Sequence, residues 1–352
     1  MIDTRYNEQN EVVKYQFFQE LAECGINDKD PRDPKTILQY INAIHELEVA
    51  TNFKDFRNYD LNFALEFKNH LENKISKKTG KNISKSLYVH YLKYNKEFFE
   101  WLKKEKKEYS KINQKDINYL KTSRNDKNTA LATGHQESNL VKDILLVIRG
   151  MPDATPIQIR NKAMISLCLI TCPRIKALIT ARICSIRYFE EYEAWAFDQN
   201  PRLVDTKAKK HITSFFIGQC QDIIDNVLNW LKYLKEQGFK DHDYLFPKIE
   251  SSFDSNGNSI CKLSKDVIDS DSWVRSGIVK PAFEASNIKY CCPHSFRHSL
   301  ARLARQQPDP SNLLIALSEN DGHKNQMAVL LASYAVDYKS VRAKLMKGFK
   351  LE

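Results

Sequence analysis

The sequence predicts a mostly helical α+β protein with two domains. Three observations carry this prediction: the length, the helical spacing of apolar residues in the first third, and short strand-like segments near the middle. A chain of 352 residues exceeds one ordinary core and suits two domains. We therefore expect a helical domain at residues 1–120, a linker at 121–135, and, at 136–352, a domain of helices around a small antiparallel sheet.

Helical stripes justify the first domain. Asp33 stands in an N-cap position before Pro34, which favours a helix start there. The clearest stripe is Leu87, Tyr91, Tyr94, Phe98 and Trp101, whose spacing of four, three, four and three predicts one long helix with its aromatic residues in the core. Apolar periodicity predicts further helices at Asn7–Ala22, Pro34–Leu47 and Leu61–Leu71.

The second domain shows a mixed pattern. Apolar-periodic segments predict helices at Glu137–Ile148, Pro156–Ile170 and Cys220–Gln237, and the remainder, Lys265–Glu352, is expected to be largely helical. Short β-prone runs predict strands at Tyr192–Phe197, Arg202–Thr206 and Ile212–Ile217, with a lysine-rich hairpin turn at Lys207–His211. The polar stretch Ser251–Ser264 is expected to be a loop.

The charge favours a polyanionic partner. Lys and Arg number 54 against 44 Asp and Glu, a formal net charge of +10. Nucleic acid and an anionic membrane surface both fit such an excess. Because no basic amphipathic helix with a Trp, Phe or Leu face stands out, nucleic acid is favoured. No apolar run reaches the roughly 18 residues of a membrane span and the N-terminus has no apolar segment, so a cytoplasmic protein without membrane contact is expected.

The eight cysteines predict neither disulfides nor a metal site. None forms a Cys-x-x-Cys pair, and most lie in apolar stretches where cysteine behaves as a small hydrophobe. Cys292, His294 and His298 are close in sequence, but their spacing matches no common zinc pattern. We expect no metal and no other cofactor.

Two basic stretches are candidates for contacts with nucleic acid. The segment from Ser76 to Lys85 holds lysines just before a helix start, and it is either a solvated loop or a phosphate contact. The predicted linker is polar and aperiodic; it is either solvated or a strap across a DNA backbone. The candidate DNA-binding residues are Lys77, Lys78, Lys81, Lys85 and Arg124.

Four separated pieces carry residues suited to phosphate chemistry. Arg174 follows an apolar helix, and Lys207 lies in the predicted hairpin turn. His294 and Arg297 are three apart, so both project from one face at a helix start. Asp321-Gly-His323-Lys precedes a helical stretch that contains Tyr334, eleven residues after His323. Each piece alone is most often structural: a surface arginine, a solvated turn, a packed His-x-x-Arg or a core tyrosine.

Taken together in this order, the pieces resemble the tyrosine recombinase family, also called phage integrases. Its signature is Arg, Lys in a β-hairpin, His-x-x-Arg, His or Trp, and then Tyr about ten residues later; the resemblance covers roughly residues 10–345. It implies a helical core-binding domain, a basic linker and a catalytic domain. Cys172-Pro173 departs from the usual Gly-Ala before the first Arg, and Asp321 stands where Leu is usual. Because the spacing from His323 to Tyr334 is slightly long, Tyr338 is a rival nucleophile.

The resemblance implies that DNA is cut and rejoined through a 3′-phosphotyrosine on Tyr334. Two guanidiniums, those of Arg174 and Arg297, would clamp the non-bridging oxygens, since arginine binds phosphate bidentately and stays charged. His294 would accept the proton of the phenol.

The remaining implied roles concern the leaving group and the phosphate. Lys207 would protonate the departing 5′ oxygen, with Lys209 and Lys210 as fallback candidates, and His323 would hydrogen-bond the scissile phosphate. The implied partner is double-stranded DNA with specific recombination sites, bound by a homotetramer that is a monomer or dimer when free. Residues Tyr338–Glu352 would dock on a neighbour or pack on their own domain.

Two other functions stay open at this point. The departures at Cys172-Pro173 and Asp321 suit a DNA-binding protein of the same fold that no longer cuts. A basic helical RNA-binding or scaffold protein also fits the charge. It would keep its binding when Arg174 and Arg297 are replaced by alanine.

Overall fold

The computed structural model describes residues 5–26, 30–77, 79–131, 138–217, 220–253 and 259–322. The chain divides into two compact units, Met1–Gly134 and His135–Glu352. Among the described residues, no helix is both long enough and apolar enough to cross a bilayer. The predicted class, a mostly helical protein with a small antiparallel sheet, is confirmed.

The first unit is helical throughout its long elements. Its N-caps follow ordinary chemistry: the Asp33 carboxylate accepts from the Thr36 N–H at 3.0 Å, and the Ser84 hydroxyl accepts from the Leu87 N–H at 3.2 Å. The helices are α1 (Glu8–Glu23), α2 (Pro34–Ala50), α3 (Leu61–Asn73), α4 (Lys85–Glu105), α5 (Gln114–Tyr119) and α6 (Arg124–Leu131).

An aromatic cluster forms the core of this unit. Phe98 of α4 is fully buried, and its ring meets that of Phe17 on α1 edge-on, with 5.0 Å between the centroids. Trp101, one turn further along α4, packs on the same Phe17 ring at 5.0 Å. The predicted core stripe is therefore confirmed at this end of α4, whereas Leu87 at its start is exposed.

The predicted linker differs from the structure over α6. The Ser123 hydroxyl accepts from the Asp126 N–H at 2.9 Å and donates to its carboxylate at 2.7 Å, which caps the helix start. Lys85 of α4 forms a 3.1 Å ion pair with Asp126 and so ties α6 to α4. The Ser123 cap and the ion pair thus stabilise a helix in a polar stretch that has no apolar stripe.

The second unit surrounds a small sheet with helices. Its first helices are α7 (Val141–Gly150), α8 (Pro156–Thr171) and α9 (Ile175–Ile179). The antiparallel sheet has the order β1 (Ile186–Phe189), β2 (Ala194–Gln199), β3 (Ile212–Phe215), with Phe197 opposite Ile186 and Ser214. Nearly every residue of the second half of α8 is buried, and α10 (Gln221–Glu236) packs against it.

The rest of the unit is a hairpin followed by helices. Strands β4 (Ile249–Phe253) and β5 (Ser259–Leu263) pair antiparallel. After them, α11 (Asp271–Trp273) continues through a π-helical stretch at Val274–Val279 into α12 (Lys280–Ala285). A 3₁₀ turn at Pro293–Ser295 leads into α13 (Phe296–Ala304), and α14 (Pro310–Asn320) follows.

The predicted strands and loops differ from the structure in three places. The strand predicted at Arg202–Thr206 is wrong, because Asn200 holds a turn there: its side chain accepts from the Arg202 N–H and its carbonyl from the Leu203 N–H. Strand β1 was not predicted, since its four residues are too short for a clear alternation. The loop predicted at Ser251–Ser264 contains most of the β4–β5 hairpin, whose backbone pairing leaves no apolar pattern in a polar sequence.

Candidate catalytic site

Arg174 follows the turn that ends α8. Cys172 adopts a left-handed conformation, with φ of 43°, and its N–H donates to the Cys168 carbonyl at 3.1 Å. Pro173 has no N–H and so cannot continue the helix. Arg174 then stands in extended backbone at the N-cap of α9, half-buried. The Cys172-Pro173 pair therefore fixes the point at which the chain leaves the core and presents Arg174.

Arg297 reaches the same turn from α13. Phe296 and Leu300, on either side of it along the chain, belong to the main hydrophobic core and anchor α13. The Arg297 side chain is 2 % exposed, and its Nη2 donates to the Cys172 carbonyl at 2.5 Å. One arginine is thus hydrogen-bonded to the turn that presents the other, although 125 residues separate Arg297 from Cys172.

His294 lies one helical turn before Arg297, in the 3₁₀ turn that starts at Pro293. The residue is exposed as a whole, yet partial burial of its ring and the charges of Arg297 and Arg174 lower its pKa to about 4. Its ring stands perpendicular to that of His298, with 6.0 Å between centroids. His294 is therefore neutral at pH 7 and lies within electrostatic range of both arginines.

A hydrogen bond and an ion pair hold the base of the lysine-rich turn between β2 and β3. The Thr206 hydroxyl donates to the Lys210 carbonyl at 2.7 Å, and Asp205 pairs with Lys176 of α9 at 2.6 Å. Lys207 itself is exposed at the tip. The next two residues, Ala208 and Lys209, have φ of 57° and 50°, so the tip is a left-handed turn without glycine. This geometry leaves the Lys207 ammonium in solvent, on a turn joined to the helix that follows Arg174.

The end of α14 docks on the edge of β3. The Asn320 side chain accepts from the Phe215 N–H at 3.0 Å and donates to the Phe215 carbonyl at 2.9 Å, in the manner of a neighbouring strand. The Ser214 hydroxyl donates to the Asn320 carbonyl at 2.6 Å. Lys210 closes the corner by donating to the Gly322 carbonyl at 3.1 Å. These bonds fix the backbone immediately before His323.

Asp321 and Gly322 occupy this corner with little room to move. Gly322 has φ of 71°, and a Cβ at that position would come within 2.4 Å of the Ile212 side chain, so only glycine fits. Asp321 is 6 % exposed, and its Oδ1 lies 3.7 Å from Nε of Arg297. Burial raises the pKa of Asp321 to about 7, although the charges of Arg297 and Arg174 act to lower it.

Sequence reasoning gave no role to two of these residues. Asp321 entered only as a departure from the family pattern, and Asn320 was not singled out. Their signal was a polar Asn-Asp pair at the end of an apolar helix, directly before a glycine. Polar residues at such a helix end ordinarily suggest solvent, and only the tertiary structure shows that both side chains turn inward.

The predicted site residues divide into three groups. The structure links Arg297 to the turn that presents Arg174, with His294 within electrostatic range of both, and places Lys207 on a turn joined to α9. His323, Tyr334 and the rival Tyr338 lie outside the described residues, as does the segment Tyr338–Glu352. Among the described side chains, no cluster of three or more His, Cys, Asp or Glu is arranged to hold a metal ion.

The candidate DNA-binding residues belong to the first unit. Lys77, Lys81 and Arg124 are exposed, and Lys78 lies outside the described residues. Lys85 begins α4; its ammonium stands 4.5 Å from the centre of the Tyr88 ring and pairs with Asp126. The loop before α4 thus presents cations to solvent beside a helix start that Ser84 already caps.

Comparison with known proteins gives matches in structure alone. No protein-family model matches the sequence, and no curated protein matches it. XerH site-specific recombinase, bound to palindromic difH substrate in a post-cleavage complex, matches with a TM-score of 0.60 and 13 % identity, over 99 % of this chain and 92 % of that chain. The lambda integrase tetramer bound to a Holliday junction matches with a TM-score of 0.56 and 12 % identity, over 91 % and 79 %.

The Tn1549 transposon integrase, in complex with transposon right end DNA, matches with a TM-score of 0.51 and 13 % identity, over 95 % of this chain and 98 % of that chain. These matches extend through both compact units. Together with the helices around a three-stranded antiparallel sheet, they show that the chain has the tyrosine recombinase fold.

Proposed function

We propose that the chain is a site-specific DNA recombinase that cuts and rejoins DNA through a 3′-phosphotyrosine on Tyr334. One observation carries the proposal: Arg297 is hydrogen-bonded to the turn that presents Arg174, and His294 lies within electrostatic range of both arginines. Two guanidiniums close together bind the non-bridging oxygens of a phosphodiester, whose negative charge grows in the pentacoordinate transition state.

Each further group has a defined task in the proposed reaction. The phenol needs a base, because its ordinary pKa is near 10, and His294, which is neutral at pH 7, is proposed as that base. The Lys207 ammonium protonates the departing 5′ oxygen, from a turn whose tip is exposed. His323 hydrogen-bonds the scissile phosphate. The energy of the cut bond is retained in the phosphotyrosine ester, so rejoining needs no nucleotide cofactor and no metal.

The proposed partner is double-stranded DNA with specific recombination sites, on which four copies assemble. Support comes from the net charge of +10 and from matched structures that were solved on DNA, one of them as a tetramer. Lys77, Lys78, Lys81, Lys85 and Arg124 are proposed to contact phosphates. Such contacts weaken uniformly with salt, whatever the DNA sequence.

A trapping experiment tests the proposal. The full chain is incubated with a pool of duplexes of random sequence, each carrying a nick. Cleavage near the nick releases a small fragment that diffuses away, so the DNA cannot be rejoined and the enzyme stays covalently attached to it. A covalent adduct that survives denaturation, and whose DNA converges on one sequence, is expected. Tyr334→Phe should abolish the adduct, while Tyr338→Phe should keep it; the opposite result would assign the nucleophile to Tyr338.

A second candidate is a DNA-binding protein of this fold that no longer cuts. The buried carboxylate beside Arg297 favours it, because a negative charge there opposes phosphate binding. This alternative predicts selection of one DNA sequence from the same pool without any adduct. An RNA-binding or scaffold protein predicts neither, and predicts unchanged binding in Arg174→Ala and Arg297→Ala.

A further inference from the structure

A buried carboxylate lies beside the proposed phosphate clamp. Asp321 and Arg297 are 6 % and 4 % exposed, and 3.7 Å separates Oδ1 from Nε. The carboxylate acts electrostatically on Arg174 as well, since the charge of Arg174 influences its ionisation. Thus one buried acid lies beside Arg297 and within electrostatic range of Arg174, the two cations that the proposed function assigns to the scissile phosphate.

The backbone holds Asp321 at this place. Asn320, the preceding residue, is locked to the edge of β3 by two hydrogen bonds to Phe215. Gly322, the following residue, is packed against Ile212 and accepts a hydrogen bond from Lys210. With both neighbours held, the backbone directs the Asp321 carboxylate toward Arg297. Its approach to Arg297 is therefore built into the fold.

We infer that Asp321 is a positioning residue: its carboxylate orients the Arg297 guanidinium and competes with the phosphate for it. This inference rests on the proposed function, because it concerns the same clamp. Arg297 donates from Nη2 to the Cys172 carbonyl, and its Nε lies 3.7 Å from Asp321, too far for a hydrogen bond but close enough for charge attraction to orient the planar group. The same carboxylate lowers the affinity of the two arginines for an anion, since it offsets one of their two positive charges.

The competition depends on pH in a defined direction. Burial raises the pKa of Asp321 to about 7, so the carboxyl is mostly neutral near pH 6 and mostly ionised near pH 8. Among the residues that the structure describes, the cations whose charges act on it are Arg297 on α13 and Arg174 before α9, and both keep their charge. The Cys172 thiol, at the end of α8, has a pKa raised by its own burial and by Asp321, so it stays neutral. His294 is neutral too, because its pKa is about 4.

A proton-linkage measurement on the intact chain tests the inference without DNA. The probe is inorganic sulfate, a dianion across this pH range, titrated calorimetrically at about pH 6, 7 and 8 in buffers of different ionisation enthalpy. Bound sulfate repels the carboxylate, so binding should take up a fraction of a proton near pH 7. It should also tighten by roughly tenfold from pH 8 to pH 6, as expected for one charge removed nearby at intermediate dielectric.

Two variants assign the effect. Asp321→Asn should bind sulfate about tenfold more tightly than the wild type at pH 8, with no proton uptake and little pH dependence. Glu319→Gln is the matched control, since it removes the same charge from an exposed position two residues away and should titrate like the wild type. If proton uptake persists in Asp321→Asn, or if wild-type binding takes up no proton, the inference is overturned.

The orienting role has its own readout in the trapping assay. Asp321→Asn should bind anion more tightly but form adduct more slowly by about tenfold, because a less constrained Arg297 no longer meets the transition state at a fixed angle. A purely structural role predicts no such division between binding and rate. If sulfate binding depends on pH as expected but the wild type forms no adduct, the proposed function is wrong and the inference about Asp321 stands. If adduct forms but sulfate binding to Asp321→Asn depends on pH as it does in the wild type, the inference is wrong and the proposed function stands.

Discussion

The two units bury their charged groups in different ways. In the first unit, Glu48 is buried and its carboxylate meets the Lys14 ammonium directly, at 2.7 Å, with Asn10 donating to it as well at 3.3 Å. In the second unit, Arg297 and Asp321 are buried too, but 3.7 Å separates their nearest charged atoms. The first pair is closed by direct hydrogen bonds, whereas the second is wider than a good hydrogen bond.

We interpret this difference as one between a structural ion pair and, under the proposed function, an ion pair that receives a ligand. In a closed pair each charged group is hydrogen-bonded to the other, so the pair contributes to the fold and binds a third charged group only weakly. A wider pair is held by charge attraction rather than by a direct hydrogen bond, so an anion can compete for the Arg297 guanidinium. If this interpretation is right, substitutions in the two pairs should affect different properties: stability in the first unit, and chemistry in the second.

The largest effect is expected for Arg297. Replacing Arg297 by Ala removes one of the two proposed charge-stabilising groups, and we expect adduct formation to slow by about 10²–10³-fold. The measurement is the rate of covalent adduct on the DNA selected by the wild type. Arg302→Ala, at an exposed position on the same helix, is the control and should retain the rate. An Arg297→Ala protein that is folded and cleaves normally would remove Arg297 from the proposed mechanism.

The closed pair should respond through stability. Lys14→Ala leaves the Glu48 carboxylate buried without its cation, and we expect the free energy of unfolding to fall by about 3 kcal/mol. Urea denaturation followed by circular dichroism measures it. Glu11→Gln removes the exposed partner of the same lysine and should cost less than about 0.5 kcal/mol. Equal losses in the two variants would mean that burial of Glu48 does not distinguish the two ion pairs.

Two groups at the candidate site should give opposite pH dependences. The pKa of His294 falls to about 4, so between about pH 4 and 6.5 the folded chain binds fewer protons there than the unfolded chain, and stability rises with pH. The pKa of Asp321 rises to about 7, so over about pH 4–7 the folded chain binds more protons, and stability falls with pH. Each contributes at most about 1.4 kcal/mol per pH unit.

Variants resolve these two contributions. Urea unfolding at about pH 4.5, 5.5 and 6.5 should show a smaller rise, or a steeper fall, of stability with pH in His294→Gln than in the wild type. Asp321→Asn should show the reverse. Changes of the same sign in both variants would contradict opposite ionisation of the two groups at the site.

The parts of the fold that sequence predicted are those encoded by nearby residues. Phe98 and Trp101 were assigned to a core because three- and four-residue spacing puts them on one face, and His294 and Arg297 were placed together for the same reason. The start of the polar α6 depends on a serine cap and an ion pair, which leave no periodic signal. Arg202–Thr206 has strand-like residues but turns because of Asn200.

The polar Asn320-Asp321 pair before Gly322 did not by itself indicate that Asp321 turns inward. Its inward position depends on Asn320 meeting the edge of β3, more than one hundred residues earlier, and on Arg297 arriving from another helix. A polar residue at the end of a helix is ordinarily solvated, and its burial is decided by tertiary packing. Sequence therefore identified Arg174, His294 and Arg297 as candidates, but not the acid that lies among them.

The smallest expected effect concerns the turn that carries Lys207. Ala208 has φ of 57°, a conformation that costs alanine roughly 1 kcal/mol and costs glycine nothing, whereas glycine loses more entropy on folding. Ala208→Gly should therefore raise the free energy of unfolding by only about 0.5 kcal/mol. Urea denaturation measures it, and Ala282→Gly in helix α12, where φ is ordinary, should instead destabilise by about 1 kcal/mol. Equal destabilisation by both substitutions would show that the turn carries no left-handed strain, and that the Lys207 ammonium is presented by an ordinary loop.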